Sequence, residues 1–134
     1  MISFKPVAAA LLCAVFSATT AATEEQFAHI SLNSTEPQAE ACRLVLTAKA
    51  PEDIKSLVVE TVLFDRSDRV MLLTLFDFAA LPAGKLRVRQ FDIPNTRCGD
   101  VSRVLFNGID SCEGPGCDAP LRATSAVADL EVLG

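Results

Sequence analysis

The chain has no tryptophan, no tyrosine and one histidine among its 134 residues. These absences close off much ordinary site chemistry. Ser-His-Asp, Cys-His and multi-histidine metal sites would all have to use His29, which sits in an edge-strand sequence, FAHISLN. Without Trp or Tyr, the stacking platforms on which sandwich proteins hold sugars are missing. Basic residues are also scarce: 12 Lys and Arg stand against 17 Asp and Glu, for a formal net charge of −5. A dedicated nucleic-acid binder needs a basic balance to displace counterions from phosphates, so nucleic acid is not an expected partner. There is no Gly-rich phosphate loop, no H-E-x-x-H and no G-x-S-x-G. Asn107, Asp110 and Glu113 lack the alternating acids and fixed glycine of an EF-hand. Nothing in the sequence brings an acid pair such as Asp65 and Asp77 together. The chain is therefore expected to be no enzyme and to need no metal or cofactor.

Apolar residues are plentiful. Half of the chain is hydrophobic and 22% is charged, enough apolar content to offset the entropy of folding, in a length that holds one domain. Part of it is an address. MISFKPVAAALLCAVFSATTAA has the form of an export signal: Lys5 gives a short positive start, residues 7–16 an apolar core, and residues 17–22 a small-residue run suited to cleavage after Ala21 or Ala22. The uncharged run is short and rich in Ala, Ser and Thr for a membrane anchor. Leu12 precedes Cys13 where a lipoprotein signal wants a small residue, and no twin arginine is present. Residues 1–22 are expected to be removed, leaving residues 23–134 as one domain, periplasmic or secreted and free of the membrane.

Removal of Lys5 and Cys13 leaves eleven bases against 17 acids, a net charge of −6, and reduces five cysteines to four. Cys42, Cys98, Cys112 and Cys117 then read as a two-disulfide framework. Four cysteines permit three pairings. The preferred one joins Cys112 to Cys117 around the turn sequence Glu113-Gly114-Pro115-Gly116, which leaves Cys42 for Cys98. In the chain-entropy picture the long closure contributes about 4 kcal/mol and the short ring about 2 kcal/mol. A zinc site wants two close cysteine pairs and a redox site wants Cys-x-x-Cys at a helix start, and CEGPGC has neither form.

The rest of the chain alternates. In CRLVLTAKA (42–50), Cys42, Leu44, Leu46 and Ala48 share one side, the period of a half-buried strand. LVVETVLFD (57–65) and VMLLTLFDF (70–78) are apolar on both sides and read as central strands joined by a hairpin at Arg66-Ser67-Asp68-Arg69. KLRVRQFDI (85–93), VSRVLFN (101–107), residues 124–133 and FAHISLN (27–33) bring the count to seven, with residues 108–120 as a loop. Seven short strands and no long helical period fit an all-β, immunoglobulin- or fibronectin-III-like antiparallel β-sandwich. An eight-stranded barrel is the competing architecture.

Two surface features qualify as partner contacts. Lys85, Arg87 and Arg89 share one side of their strand, opposite Leu86 and Val88, and an outward stripe of that kind would meet an anionic partner. A bulge near Gln90 would then re-aim the strand. The second feature is the stapled loop Glu113, Gly114, Pro115 and Gly116, since sandwiches carry variable loops at their ends.

Four segments, ETVLFD (60–65), LLTLFDF (72–78), RVRQFD (87–92) and RVLFNG (103–108), resemble a family of small exported proteobacterial proteins with no assigned activity. The resemblance spans nearly all of residues 23–134. It implies an immunoglobulin-like sandwich in a bacterial periplasm and carries over no functional residue. Members are sometimes labelled as twin-arginine substrates, a label this chain does not fit. The expectation is a monomeric periplasmic binding or accessory module with an unknown protein partner. A small secreted protease inhibitor presenting the Cys112–Cys117 loop is the alternative.

Overall fold

The computed structural model describes residues 2–19 and 26–134. Residues 2–19 are exposed and without regular secondary structure. Among the described residues, no helix is long and apolar enough to cross a membrane. The expected cleavage points at Ala21 and Ala22 lie outside the described residues.

Alternation along the chain produces eight strands: β1 (Ala28–Pro37), β2 (Ala41–Lys49), β3 (Ile54–Asp65), β4 (Val70–Leu81), β5 (Arg87–Pro94), β6 (Val101–Glu113), β7 (Leu121–Ser125) and β8 (Glu131–Leu133). They form two four-stranded sheets, ordered β5-β2-β1-β7 and β4-β3-β6-β8. The inward side chains of both sheets close on one core. Ile30, Leu32, Leu44 and Leu46 of the first sheet meet Val59, Leu63, Phe76, Phe78 and Val104 of the second. Each fully buried Leu, Ile or Phe contributes roughly 1.5–3 kcal/mol through the area it removes from water. The architecture is all-β and compatible with a β-sandwich.

Both disulfides of the preferred pairing are present. Cys42–Cys98 joins positions 56 apart in sequence with Cα atoms 5.0 Å apart. Cys112–Cys117 closes a five-position span at 5.9 Å. Two structural disulfides suit an oxidising, extracellular-type environment. The β3–β4 hairpin also forms where expected. Asp65 Oδ1 accepts the backbone N–H groups of Ser67 (2.8 Å) and Arg69 (3.0 Å), and Asp68 takes a positive φ of 58°.

Other expectations are corrected. The sheets are mixed: β7 runs parallel to β1 and β8 parallel to β6. The expected final strand over residues 124–133 is in fact two. Ala126 donates to the Leu32 carbonyl (2.9 Å), the Ser125 hydroxyl accepts from Val127 N–H (3.1 Å), and Asp129 turns with φ 60°, so the chain crosses from one sheet to the other. Residues 108–113 are strand and not loop, because β3 is long enough to offer partners as far as Ser56, opposite Glu113. Gly108 lies across from Glu60 where the register shifts, the place a glycine takes in a bulged strand. Finally, β4 is an edge strand and not a central one, whereas β1, expected at an edge, lies between β2 and β7 because the end of the chain returns as β7 to pair with it.

On that rim, β4 and β5 close the gap between the sheets. The Phe91 ring of β5 stacks on Phe76 of β4 at 4.0 Å and meets Phe78 edge-on at 5.3 Å. Phe106 meets both Phe76 and Phe78 edge-on from β6. Such pairs add about 0.5–1.5 kcal/mol each beyond the area they bury.

Candidate functional site

The β5 cations sit on the opposite side from the one expected. Arg87, Arg89, Phe91 and Ile93 lie directly across from Ala48, Leu46, Leu44 and Cys42, all inward-facing. Residues directly opposite in an antiparallel pair share a face, so this Arg-Phe-Ile series points inward at the sandwich rim. The register from Ala41↔Pro94 to Ala48↔Arg87 is unbroken, so no bulge occurs at Gln90. Leu86 (61% exposed) and Val88 (55%) face solvent. The physical reason is position. At a rim, a long side chain can bury its stem and still satisfy its head group. Arg89 does so by donating from Nε to the Phe78 carbonyl (2.6 Å) and from Nη2 to the Ala80 carbonyl (2.8 Å). Those carbonyls flank Ala79, which has φ 54° where β4 shifts register against β3. Arg89 thus holds the two sheets together at a bulge. Of the three expected contact cations, Lys85 alone is exposed, Arg87 and Arg89 being half-buried.

The stapled loop is docked. Pro115–Asp118 forms one 3-10 turn, and Gly116 is buried, donating its N–H to the Asp53 carbonyl at 2.9 Å. A Cβ on Gly116 would run into the Glu52 carbonyl, and one on Gly114 would come within 2.7 Å of the Asp53 carbonyl. Gly114 also holds φ 115°, a region that L side chains rarely adopt. Glu113 and Pro115 are the exposed members. The ring fastens the end of β6 to the segment before β3.

The polar residues weighed for catalysis or metal binding are dispersed. His29 Nε2 lies 2.8 Å from Thr124 Oγ1. Asn107 donates to Glu60 Oε1 (2.6 Å). Asp65 ends β3 at the hairpin, whereas Asp77 lies opposite Val58, roughly 23 Å along that strand at ~3.3 Å per residue. Among the described residues, no group of three or more His, Cys, Asp and Glu is placed to hold a metal ion.

The outer face of the β4-β3-β6-β8 sheet is a surface that sequence reading missed. Leu73, Val62, Leu105 and Leu133 are directly paired in register and form one apolar row across all four strands. Leu73 is 61% exposed and Leu133 39%, with Val62 packed between their neighbours. Val70 and Phe64 extend the band on one side and Leu75 on the other. The row spans about 14 Å between outer backbones, three interstrand spacings of ~4.8 Å. Charges on this face are paired locally. Arg103 meets Glu131 at 3.0 Å and Asp68 at 3.7 Å, and its guanidinium lies 5.6 Å from the Phe64 ring centre. Glu60 is bound by Asn107. The signal was available in the chain: β3 and β4 are apolar on both sides, and an edge strand with one solvent face has no need of that.

Set against known protein families, curated proteins and solved structures, the chain matches none.

Proposed function

We propose that this chain is an exported, non-catalytic binding module of a bacterial periplasm, and that it engages a partner protein through the outer face of the β4-β3-β6-β8 sheet. One observation carries the reading: an apolar row crosses every strand of a sheet face that none of the described residues covers. Contiguous exposed apolar surface of that kind marks interaction sites. The occupant is a protein presenting an apolar surface, because the row itself is apolar, Arg103 already pairs with Glu131, and Glu60 already accepts from Asn107. Two disulfides and the N-terminal sequence support export. The module is of immunoglobulin-like type, since the orders β1-β2-β5 and β4-β3-β6 match those of such sandwiches. It departs from that pattern in the parallel placement of β8. A protease inhibitor presenting the Cys112–Cys117 ring draws no support, because that ring is a docked 3-10 turn and not an extended protruding loop.

The test is crosslinked co-purification of tagged full-length chain from its own host, with N-terminal sequencing of the product. The reading expects a start at Ala22 or Thr23, and a partner held by wild type and Lys85→Ala but lost in Leu73→Asp/Leu133→Asp. Equal recovery with both variants contradicts the proposed face, and a retained Met1 contradicts export.

A further inference from the structure

The four sheet edges are unlike one another. An edge strand turns every second N–H and C=O away from its neighbour, and proteins blunt such edges with charge, proline or shortness. β5 carries Arg87, Arg89 and Asp92 and ends on Pro94. β7 follows Pro120 and has five residues, and β8 has three. β4 has twelve residues, no proline, no lysine and one charge, Asp77. It also holds Val70, Leu73 and Leu75, each more than half exposed.

The open part of the β4 edge is bounded at both ends. Met71 and Phe78 are extra residues against β3, so residues 72–77 form a regular stretch between two bulges. Past it, Arg89 occupies the carbonyls of Phe78 and Ala80 and closes that end. Among the described residues, no backbone hydrogen bond outside the ladder with β3 reaches residues 72–77.

We propose that two copies of this chain pair through this edge, β4 against β4, antiparallel about a twofold axis at Thr74. Directly opposite residues share a face in such a pair. This register keeps residues 72–76 of both copies inside the regular stretch, and on the outer face it sets Leu73 of each copy against Leu75 of the other. Residues 70–76 are uncharged, so two acidic chains meet there without like charges opposed. The ends are complementary: Asp77 of one copy comes beside the Arg69 end of the other, whereas a parallel pair would align like with like. Growth stops at two copies, because a twofold contact is closed and the far edge of the joined sheet is the three-residue β8. The contact is shorter than a standard interface, so the dimer is weak and reversible. It replaces the monomer expected from the sequence and does not depend on the partner proposed for the outer face.

Sedimentation equilibrium on the chain recovered from its own host, from micromolar to millimolar concentration, should show a reversible monomer–dimer equilibrium. Leu75→Lys puts a lysine on the edge, opposite Leu73 of the other copy, and should weaken the dimer roughly tenfold or more. Leu133→Asp, on β8, and Val88→Asp, on the other sheet, should leave it unchanged. Leu133→Asp thereby separates the dimer from the outer-face partner, whose binding it is expected to weaken. In a mixture of isotope-labelled and unlabelled copies, NMR should show contacts between the Leu73 methyls of one copy and the Leu75 methyls of the other. Monomer at every concentration overturns the proposal, as does a dimer that Leu75→Lys leaves intact or one without the Leu73–Leu75 contact. The substituted side chains are all exposed, so the variants keep the fold.

Discussion

The outer face of the β5-β2-β1-β7 sheet shows Lys49, His29, Arg122, Thr47, Ser31 and Thr124, with Arg43 and Asp92 paired at 2.7 Å and Val88 as an exposed apolar residue toward its edge. The outer face of the β4-β3-β6-β8 sheet shows Leu73, Val62, Leu105 and Leu133 in one row. Both sheets turn similar apolar side chains to a shared core, so core burial does not explain the difference between their backs. A strand needs apolar residues on one side to fold, and the second set on β3 and β4 is surplus to that need. The surplus is the observation on which the proposed partner face rests.

The largest effect is expected where the two sheets depend on each other. Phe76→Ala removes a ring packed against Phe91 and Phe106 and should cost about 3–5 kcal/mol in denaturant unfolding. Signals from both faces should melt together, and separate transitions would mean that the sheets are independent units. Arg89→Met keeps the stem and removes the two hydrogen bonds to β4 carbonyls. A loss of about 1.5–3 kcal/mol is expected, against less than about 0.5 kcal/mol for Lys85→Ala. Equal effects would return Arg89 to the surface role that the alternation first implied.

Leu73→Ser sharpens the comparison from the other side. If this residue serves a partner, its replacement should change the stability of the isolated protein by less than about 1 kcal/mol while removing partner binding. A core-sized loss on thermal unfolding would show that Leu73 stabilises the fold itself.

The smallest effect is electrostatic. Backbone N–H groups of Arg69 and Ser67 hold the Asp65 carboxyl below its usual range, and the Arg43 guanidinium does the same for Asp92. The unfolded chain therefore binds these protons more readily than the folded one. Their contribution is present above the ordinary carboxylate range near pH 4 and is lost as pH falls through the lower folded values. Melting curves from pH 7 to pH 3 should show a slight acid loss that shrinks in Asp92→Asn and in Asp65→Asn, more visibly at low salt. An unchanged acid dependence would argue that neither carboxylate is held.

How far the chain could be read in advance follows from the same contrast. β2 was legible because Cys42, Leu44, Leu46 and Ala48 alternate cleanly and the alternation has one possible meaning. In β5 two alternations compete, Leu86 and Val88 against Phe91 and Ile93, and hydropathy alone puts the arginines outside. The inward placement of Arg89 depends on the carbonyls beside Ala79, which belong to the preceding strand but come within reach only when the two sheets face each other. β4 misled for a related reason. Apolar residues on both sides signal burial of both sides, but not whether the cover comes from this chain. The basic row of Lys49, His29 and Arg122 was invisible because its members come from three separate strands and meet only through register.

The most direct measurement is site-specific photocrosslinking in the living host, with the photoreactive residue placed at Leu73 or Leu133 on one face and at Ser31 or Gln90 on the other. The account predicts a discrete protein adduct from positions 73 and 133 and none from 31 and 90. Adducts from both faces alike, or none from 73 and 133 in folded, exported protein, would contradict it.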